Sequence, residues 1–209
     1  MAEKAKIRTV PHALIRIKAQ DDALAYITKR IDRRAGKMLA MEDFCQLDGR
    51  LTEDKYRGSY ERCGKIVSKY SVNPGLDLTE LYIRIIFSFA VGNSDMHLKN
   101  FSLIETAQKS EEYVLSAAYD MLSTNVVIPE DKEQLALTAN GKKQNLRRKD
   151  FLILAENIGI SQKSAEKIID KIAKMKSEYI AMCQASYIPE DMKQAFEKLI
   201  TERMEVLLK

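Results

Sequence analysis

Gly92-Asn93-Ser94-Asp95-Met96-His97-Leu98-Lys99-Asn100 places a carboxylate, an imidazole, an ammonium and two amides within nine residues. It follows a strongly apolar run, Leu81 to Val91, and a second acid stands downstream in Ala118-Tyr119-Asp120-Met121-Leu122-Ser123. Just upstream, Asn73-Pro74-Gly75 is a strong breaker. Asp77-Leu78-Thr79-Glu80 then resembles a capping box with Asp77 as the cap. The helix it opens carries Leu78, Leu81, Tyr82, Ile85, Ile86 and Phe89 at three-to-four spacing, and Ile83, Phe87 and Ala90 make its other side apolar. A helix apolar all round is buried. The polar stretch is therefore a loop carried on a buried scaffold, a usual setting for reactive groups.

Working outward, Leu14-Ile15-Arg16-Ile17 and Ala23 to Thr28 are β-prone, and the turn-prone Ala19-Gln20-Asp21-Asp22 between them predicts a hairpin. Arg30 to Lys37 reads as a charged connector, Met41-Glu42-Asp43-Phe44 as the start of a short helix, and Thr52 to Ser59 as loop. Ser59 to Tyr70 reads as a helix with Ile66, Val67 and Tyr70 inward. Asn100 to Glu105 and Tyr113 to Leu115 predict a second hairpin around the polar insert Thr106 to Glu112, leading into Asp120. Gly141-Lys142-Lys143 is a turn. Three helices are predicted to finish the chain. They are Arg148 to Asn157, one from Ser161 carrying Ile168, Ile172, Met175, Tyr179 and Met182, and one from Pro189 carrying Met192, Phe196, Leu199, Ile200 and Leu207. The fold class is α+β and mostly helical.

Composition narrows the field. A chain of 209 residues with 45 % hydrophobic content supports a sizeable core in one domain or two small subdomains. The net charge of +4 (34 − 30) is weak evidence for nucleic-acid binding. Cys45, Cys63 and Cys183 lie far apart and odd in number, so neither a zinc pattern nor a disulfide framework fits, and a cytoplasmic location is expected. No apolar run is long enough to span a membrane, and Met1 to Lys6 lacks the apolar core of a signal peptide.

Asp95 and Asn100 are five apart (100 − 95), the spacing that protein kinases use between a base Asp and a metal-binding Asn, with a later Asp on the other Mg²⁺. The chemistry requires an Asp to accept a hydroxyl proton while an amide oxygen and a second carboxylate grip the metal on the phosphates. Taken alone, Asp95 and Asn100 are read equally well as an ordinary helix-ending turn. Tyr119-Asp120 at the end of a hairpin favours the functional reading.

These residues resemble the signature of HipA-type serine/threonine kinases, the toxins of bacterial toxin–antitoxin pairs. Tyr26-Ile27-Thr28-Lys29-Arg30-Ile31-Asp32-Arg33, Met41-Glu42-Asp43-Phe44-Cys45-Gln46 and Leu135-Ala136-Leu137-Thr138-Ala139-Asn140-Gly141-Lys142 extend the resemblance over nearly the whole chain. It implies the helical C-terminal lobe of a kinase-like fold. Residues 1–33 would be a remnant of the N-terminal lobe with the hinge, and residues 34–209 the helical lobe with loop 92–100. Asp95 would be the catalytic base, and Asn100 and Asp120 the Mg²⁺ ligands. His97 would face phosphate or stabilise the loop, and Lys99 would form a surface pair or phosphate contact. The backbone of Lys29 to Ile31 would read adenine. Asp32 would reach the ribose or pair with Arg30 or Arg33. Asn93 would hold the loop, and His12 is taken as structural.

The cofactors implied are ATP and Mg²⁺. The partners implied are a protein substrate, with aminoacyl-tRNA synthetases among the family's targets, and an antitoxin through which DNA is reached only indirectly. Family members carry well over a hundred residues ahead of the segment matching Ile7. A phosphate-cradling glycine loop and a nucleotide Lys have no counterpart here, so the resemblance implies a lobe inactive alone. The alternative is a non-catalytic module that binds an antitoxin or a separately encoded N-terminal half. A phosphodiesterase reading of His97-Leu98-Lys99 wants an Asp after four further residues, where Ile104 stands. A metal-hydrolase site is equally unsupported, with two His and no H-E-x-x-H.

Overall fold

The computed structural model describes residues 1–18 and 23–209. Strands β1 (His12–Ile17) and β2 (Ala23–Thr28) pair antiparallel from His12↔Thr28 to Ile17↔Ala23. The hairpin is therefore present, while its expected turn at residues 19–22 lies outside the described residues. The expected connector holds a tight two-residue hairpin, β3 (Arg33–Arg34) with β4 (Lys37–Met38). Ala35 and Gly36 between them sit at φ 47° and 77°, as a two-residue hairpin turn demands.

Met41–Asp43 forms strand β5 rather than the first turn of a helix. It pairs antiparallel with β6 (Ser102–Glu105), which pairs with β7 (Tyr113–Leu115), giving a three-stranded sheet in the order β5-β6-β7. Helix α1 (Phe44–Leu47) then starts on a reciprocal cap. Asp43 accepts from the Gln46 backbone at 2.9 Å, and the Gln46 side chain accepts from the Asp43 N–H at 3.0 Å. A single 3-10 turn, Thr52–Asp54, interrupts the expected loop. Helix α2 (Tyr60–Tyr70) is capped by Ser59 and buries Ile66 and Val67, but Tyr70 is exposed, contrary to its predicted inward placement.

Helix α3 (Pro74–Val91) occupies the centre. Leu81, Tyr82, Ile85, Ile86, Phe89 and Ala90 are fully buried. Each large apolar side chain so removed from water contributes roughly 1.5–3 kcal/mol. The sequence places the cap at Asp77, but the helix begins one turn earlier, with Pro74 in its first turn. Asp77 instead accepts from Ser71 Oγ at 2.5 Å and from the Leu115 N–H at 2.7 Å. A buried strand N–H with no other acceptor outcompetes local capping for this carboxylate.

Four further helices and one short turn of helix complete the chain: α4 (Thr124–Val127), α5 (Arg148–Asn157), α6 (Gln162–Ala173), α7 (Lys176–Gln184) and α8 (Glu190–Leu208). The second of the three predicted C-terminal helices is thus two, broken at Lys174-Met175, where Met175 N–H bonds back three residues to Ile172. The break lets α7 turn Tyr179 edge-on against Phe87, ring centroids 5.9 Å apart. Phe151 of α5 meets Phe89 at 4.9 Å. Helices α2, α6 and α8 all pack on α3. Between α3 and β6, and so fixed at both ends, runs the segment 92–100.

Candidate active site

Gly92 ends α3 in the left-handed region, φ 69°, the usual exit for a chain that must leave a helix sharply. A Cβ there would stand 2.8 and 2.9 Å from the Leu199 methyls. The loop beyond is pinned by backbone and side-chain bonds. Asn93 N–H bonds Ser88 O at 2.8 Å, and Asn93 Oδ1 accepts from the Asp95 N–H at 3.2 Å. Tyr60 Oη donates to Met96 O at 3.0 Å, and Leu98 N–H donates to Lys55 O at 3.2 Å. Met96 and Leu98 are fully buried and act as anchors, which leaves Asp95 and Lys99 half-buried at the surface between them. Ser94 ties the loop to α4, its N–H bonding Thr124 Oγ1 at 2.7 Å and its hydroxyl donating to Asp131 at 2.5 Å.

Asn100 closes the loop. Its amide Nδ2 donates to the Asp95 carbonyl at 2.7 Å. An amide that spends its nitrogen this way presents its oxygen as an acceptor. The Asp95 carboxylate accepts from Tyr56 Oη at 2.5 Å. Burial, then the Asp95 hydrogen bond, pushes the Tyr56 phenol up to about 12. His97 is buried with its ring edge-on to Tyr56 at 4.9 Å, and among the described residues its Nδ1 has no hydrogen-bond partner. Burial lowers its pKa while Asp95 and, more weakly, Asp120 oppose the shift, so the ring is neutral at pH 7. Lys99 Nζ pairs with Asp43 Oδ2 at 2.7 Å.

Asp120 is exposed and sits at φ 55°. Asp, like Asn, tolerates this left-handed geometry better than most residues. The preceding Tyr119 donates its hydroxyl to Lys99 O at 3.1 Å, tying the Asp120 segment to the loop. Among the described residues no group of three or more His, Cys, Asp and Glu could hold a metal. An Asn and an Asp suit Mg²⁺, which takes its other ligands from phosphate and water.

Lys29, Ile31 and Asp32 rim an open groove whose floor includes Lys99, Ser102 and Tyr119. The Lys29 N–H is spent on Pro11 O at 2.8 Å. Among the described residues the Lys29 carbonyl and the Ile31 N–H have no partner. Asp32 pairs with Arg30 at 2.6 Å and Arg33 at 3.3 Å, and the Arg30 hydrogen bond holds its carboxyl below the usual range. His12 lies at the start of β1, its Nδ1 2.9 Å from Val10 O.

The structure thus brings Asp95, His97, Lys99 and Asn100 onto one pinned loop, and the 29–32 segment against Lys99 and Tyr119. Sequence reasoning missed Tyr56 and the pairing of Lys99 with Asp43. Tyr56 stands 39 residues before Asp95 in a stretch read only as polar loop, and no local pattern marks it. The Asp43 cap is visible as a helix start, but its second bond, to Lys99, spans 56 residues.

The model of the HipA-like C-terminal domain matches residues 1–179. The protein named "Putative kinase Y4dM" of Sinorhizobium fredii (strain NBRC 101917 / NGR234) is 35% identical over 141 residues, which cover 66% of this chain and 34% of that protein. A "Putative kinase" of Haemophilus influenzae is 27% identical over 210 residues, covering 88% of this chain and 60% of that one. The chain therefore spans between about a third and three fifths of the length of these relatives. Among solved structures, the HipA–HipB–operator DNA complex of the Shewanella oneidensis MR-1 toxin–antitoxin system contains a chain that superposes with a TM-score of 0.82 at 17% identity, covering 98% of this chain and 53% of that one. The Helicobacter pylori proinflammatory kinase CtkA superposes at 0.60 and 15% identity, covering 99% of this chain and 76% of that one. Both share the kinase-like fold.

Proposed function

The chain belongs to the HipA-like C-terminal domain family, and we propose from that premise that it carries the catalytic loop of a serine/threonine kinase that uses ATP and Mg²⁺. The observation that carries this reading is the Tyr56 hydroxyl on the Asp95 carboxylate at 2.5 Å. A carboxylate that accepts a hydrogen bond from one O–H group supports the reading that it would accept one from a substrate hydroxyl. In the proposed reaction Asp95 accepts the proton of a Ser or Thr hydroxyl as its oxygen bonds to the γ-phosphorus, the bond from that phosphorus to the β–γ bridging oxygen breaks, and ADP leaves with that electron pair. Asn100 Oδ1 and the Asp120 carboxylate would hold Mg²⁺, which neutralises phosphate charge when bound. The free Lys29 carbonyl and Ile31 N–H would read the adenine edge, with Asp32 near the ribose only if it keeps one oxygen clear of Arg30. Neutral His97 would sit against the phosphates as a hydrogen-bonding group and not as a cation. Lys99, neutralised by Asp43, would contribute to the groove as a paired charge.

The partners proposed are a protein acceptor, with aminoacyl-tRNA synthetases as one class, and an antitoxin. The structural relative is described with HipB and operator DNA, and here DNA would be reached through such a partner.

Titration calorimetry with Mg-ATP tests the reading. Saturable binding that Asp120→Asn abolishes without loss of fold supports it. Binding of equal strength in Asp120→Asn overturns the metal assignment.

One observation favours a second reading, a binding module. Hairpin β1–β2 exposes Leu14, Leu24 and Tyr26 on one face and Ile15 and Ile27 on the other. A two-stranded hairpin apolar on both faces is marginal in water by itself, and an antitoxin or a separately encoded N-terminal half would cover it.

A further inference from the structure

Tyr56 belongs to none of the groups that the proposed phosphotransfer uses, yet it makes the only side-chain hydrogen bond to the Asp95 carboxylate among the described residues. It bonds Oδ1 and leaves Oδ2 without a partner there. We infer that Tyr56 is a positioning residue of the acceptor site, its hydroxyl holding one oxygen of Asp95 so that the other is free to take the acceptor's proton. The inference rests on Asp95 being the proton acceptor.

Three features make the phenol a fixed strut and not a loose plug. The Lys55 carbonyl accepts from the Leu98 N–H at 3.2 Å, so the backbone beside Tyr56 is stitched to the loop it serves. Four residues on, Tyr60 is fully buried and donates to Met96 O at 3.0 Å, which fixes the other end of the segment to the same loop. The Tyr56 ring itself is wedged between His97, edge-on at 4.9 Å, and the Lys55 ammonium, 5.0 Å from its centroid. These contacts fix the ring plane, and the ring plane fixes where the hydroxyl points. A carboxylate otherwise rotates freely about its last bond. Fixing that rotation saves the orientational part of the barrier, the part lost when a reacting group is misplaced by an ångström or less. Tyr56 is 41% exposed, so loss of its hydroxyl leaves no buried polar group stranded except the Asp95 oxygen that it served.

The test uses the full chain and the conservative variant Tyr56→Phe. Tyrosine labelled with ¹³C at Cζ reports each phenol by NMR, and the signal absent in Tyr56→Phe identifies Tyr56. In the wild type this signal is expected to titrate above the ordinary tyrosine value of about 10, and in Asp95→Ala it should fall back towards that value. An ordinary midpoint in the wild type, unmoved by Asp95→Ala, overturns the inference whether or not the chain turns over.

Phosphotransfer from Mg-ATP to casein, measured with the N-terminal lobe of a family member added to the full chain, supplies the second arm, and without turnover in the wild-type mixture the tyrosine titration alone decides. Tyr56→Phe should lower kcat by roughly ten-fold with KM for Mg-ATP unchanged, within the range set by misplacement of a catalytic group. An unchanged or raised kcat overturns the positioning role, and a raised one would make Tyr56 an obstruction instead. Asp95→Asn separates the two readings. Wild-type turnover in that variant overturns the base assignment itself. A silent Asp95→Asn beside a fully active Tyr56→Phe sinks the positioning role alone.

Discussion

The side-chain amide of Asn100 donates to the main-chain carbonyl of Asp95 at 2.7 Å, so the loop that carries both is closed by one of its own candidate site residues. The closure leaves the amide oxygen outside this bond and fixes the Asp95 backbone next to the buried Met96. Asn100→Ala should therefore act twice, by removing a proposed metal ligand and by loosening Asp95. We expect Mg-ATP binding to be lost in that variant, and loop amides 95–98 to exchange hydrogen faster by mass spectrometry. Unchanged exchange with lost binding would confine Asn100 to the metal.

Gly92→Ala tests the exit from α3. The residue needs φ 69°, and its added Cβ would press on the ends of Leu199 in α8. A side chain forced into the left-handed region costs about 1–3 kcal/mol. Urea unfolding should show a loss of that size, and a loss below the lower bound would mean that the loop and Leu199 relax together.

The pH dependence of stability should carry the signature of His97. Burial lowers its folded-state pKa below the ordinary value of about 6.5. The unfolded chain therefore takes up the proton first as pH falls. The stability associated with the neutral ring is complete above about pH 6.5 and is lost as pH drops from there towards the lowered folded value. Urea midpoints at pH 7.5 and 5.5 should fall further in the wild type than in His97→Gln. Equal falls would assign the acid sensitivity to other groups.

Asp150 is fully buried at the start of α5 and accepts from the Arg147 N–H at 2.9 Å, Asn140 Nδ2 at 2.8 Å and Lys142 Nζ at 2.8 Å. Burial pushes its pKa up, but these donors outweigh it and hold the carboxyl below its usual value. Asp150→Ala removes the acceptor of three donors, of which Lys142, with its side chain 42% exposed, is rehydrated, and it should cost about 1–3 kcal/mol by urea unfolding. A loss under about 1 kcal/mol would show that water replaces the carboxylate.

The exposed hairpin gives a prediction about association. Ile15 and Ile27 lie on one face of β1–β2. The wild-type chain should self-associate on concentration, and Ile15→Lys with Ile27→Lys should raise the association midpoint at least about ten-fold, equivalent to 1.4 kcal/mol. A wild-type chain that stays monomeric in light scattering at high concentration would count against a binding role for this hairpin.

Much of this protein was legible in its sequence because the signals were local. The period of apolar residues in 81–91 required a buried helix, and Gly92 required a sharp exit. The β-prone runs around 106–112 required a hairpin, and Arg148–Asn157 reads directly as a helix with Gly159 beyond it. The loop composition, with Asp95 and Asn100 five apart, was likewise written in the chain. What the tertiary structure decided were choices among partners far apart in sequence. Asp77 gave up a helix cap for the Leu115 N–H, 38 residues away. The predicted single helix after Ser161 broke at Lys174-Met175, in the geometry that seats Tyr179 on Phe87. Lys99 found Asp43, and the Asp95 carboxylate found Tyr56. Propensity and periodicity act over a few residues, whereas a polar group chooses its hydrogen-bond partner by proximity in space, which exists only once the chain has packed.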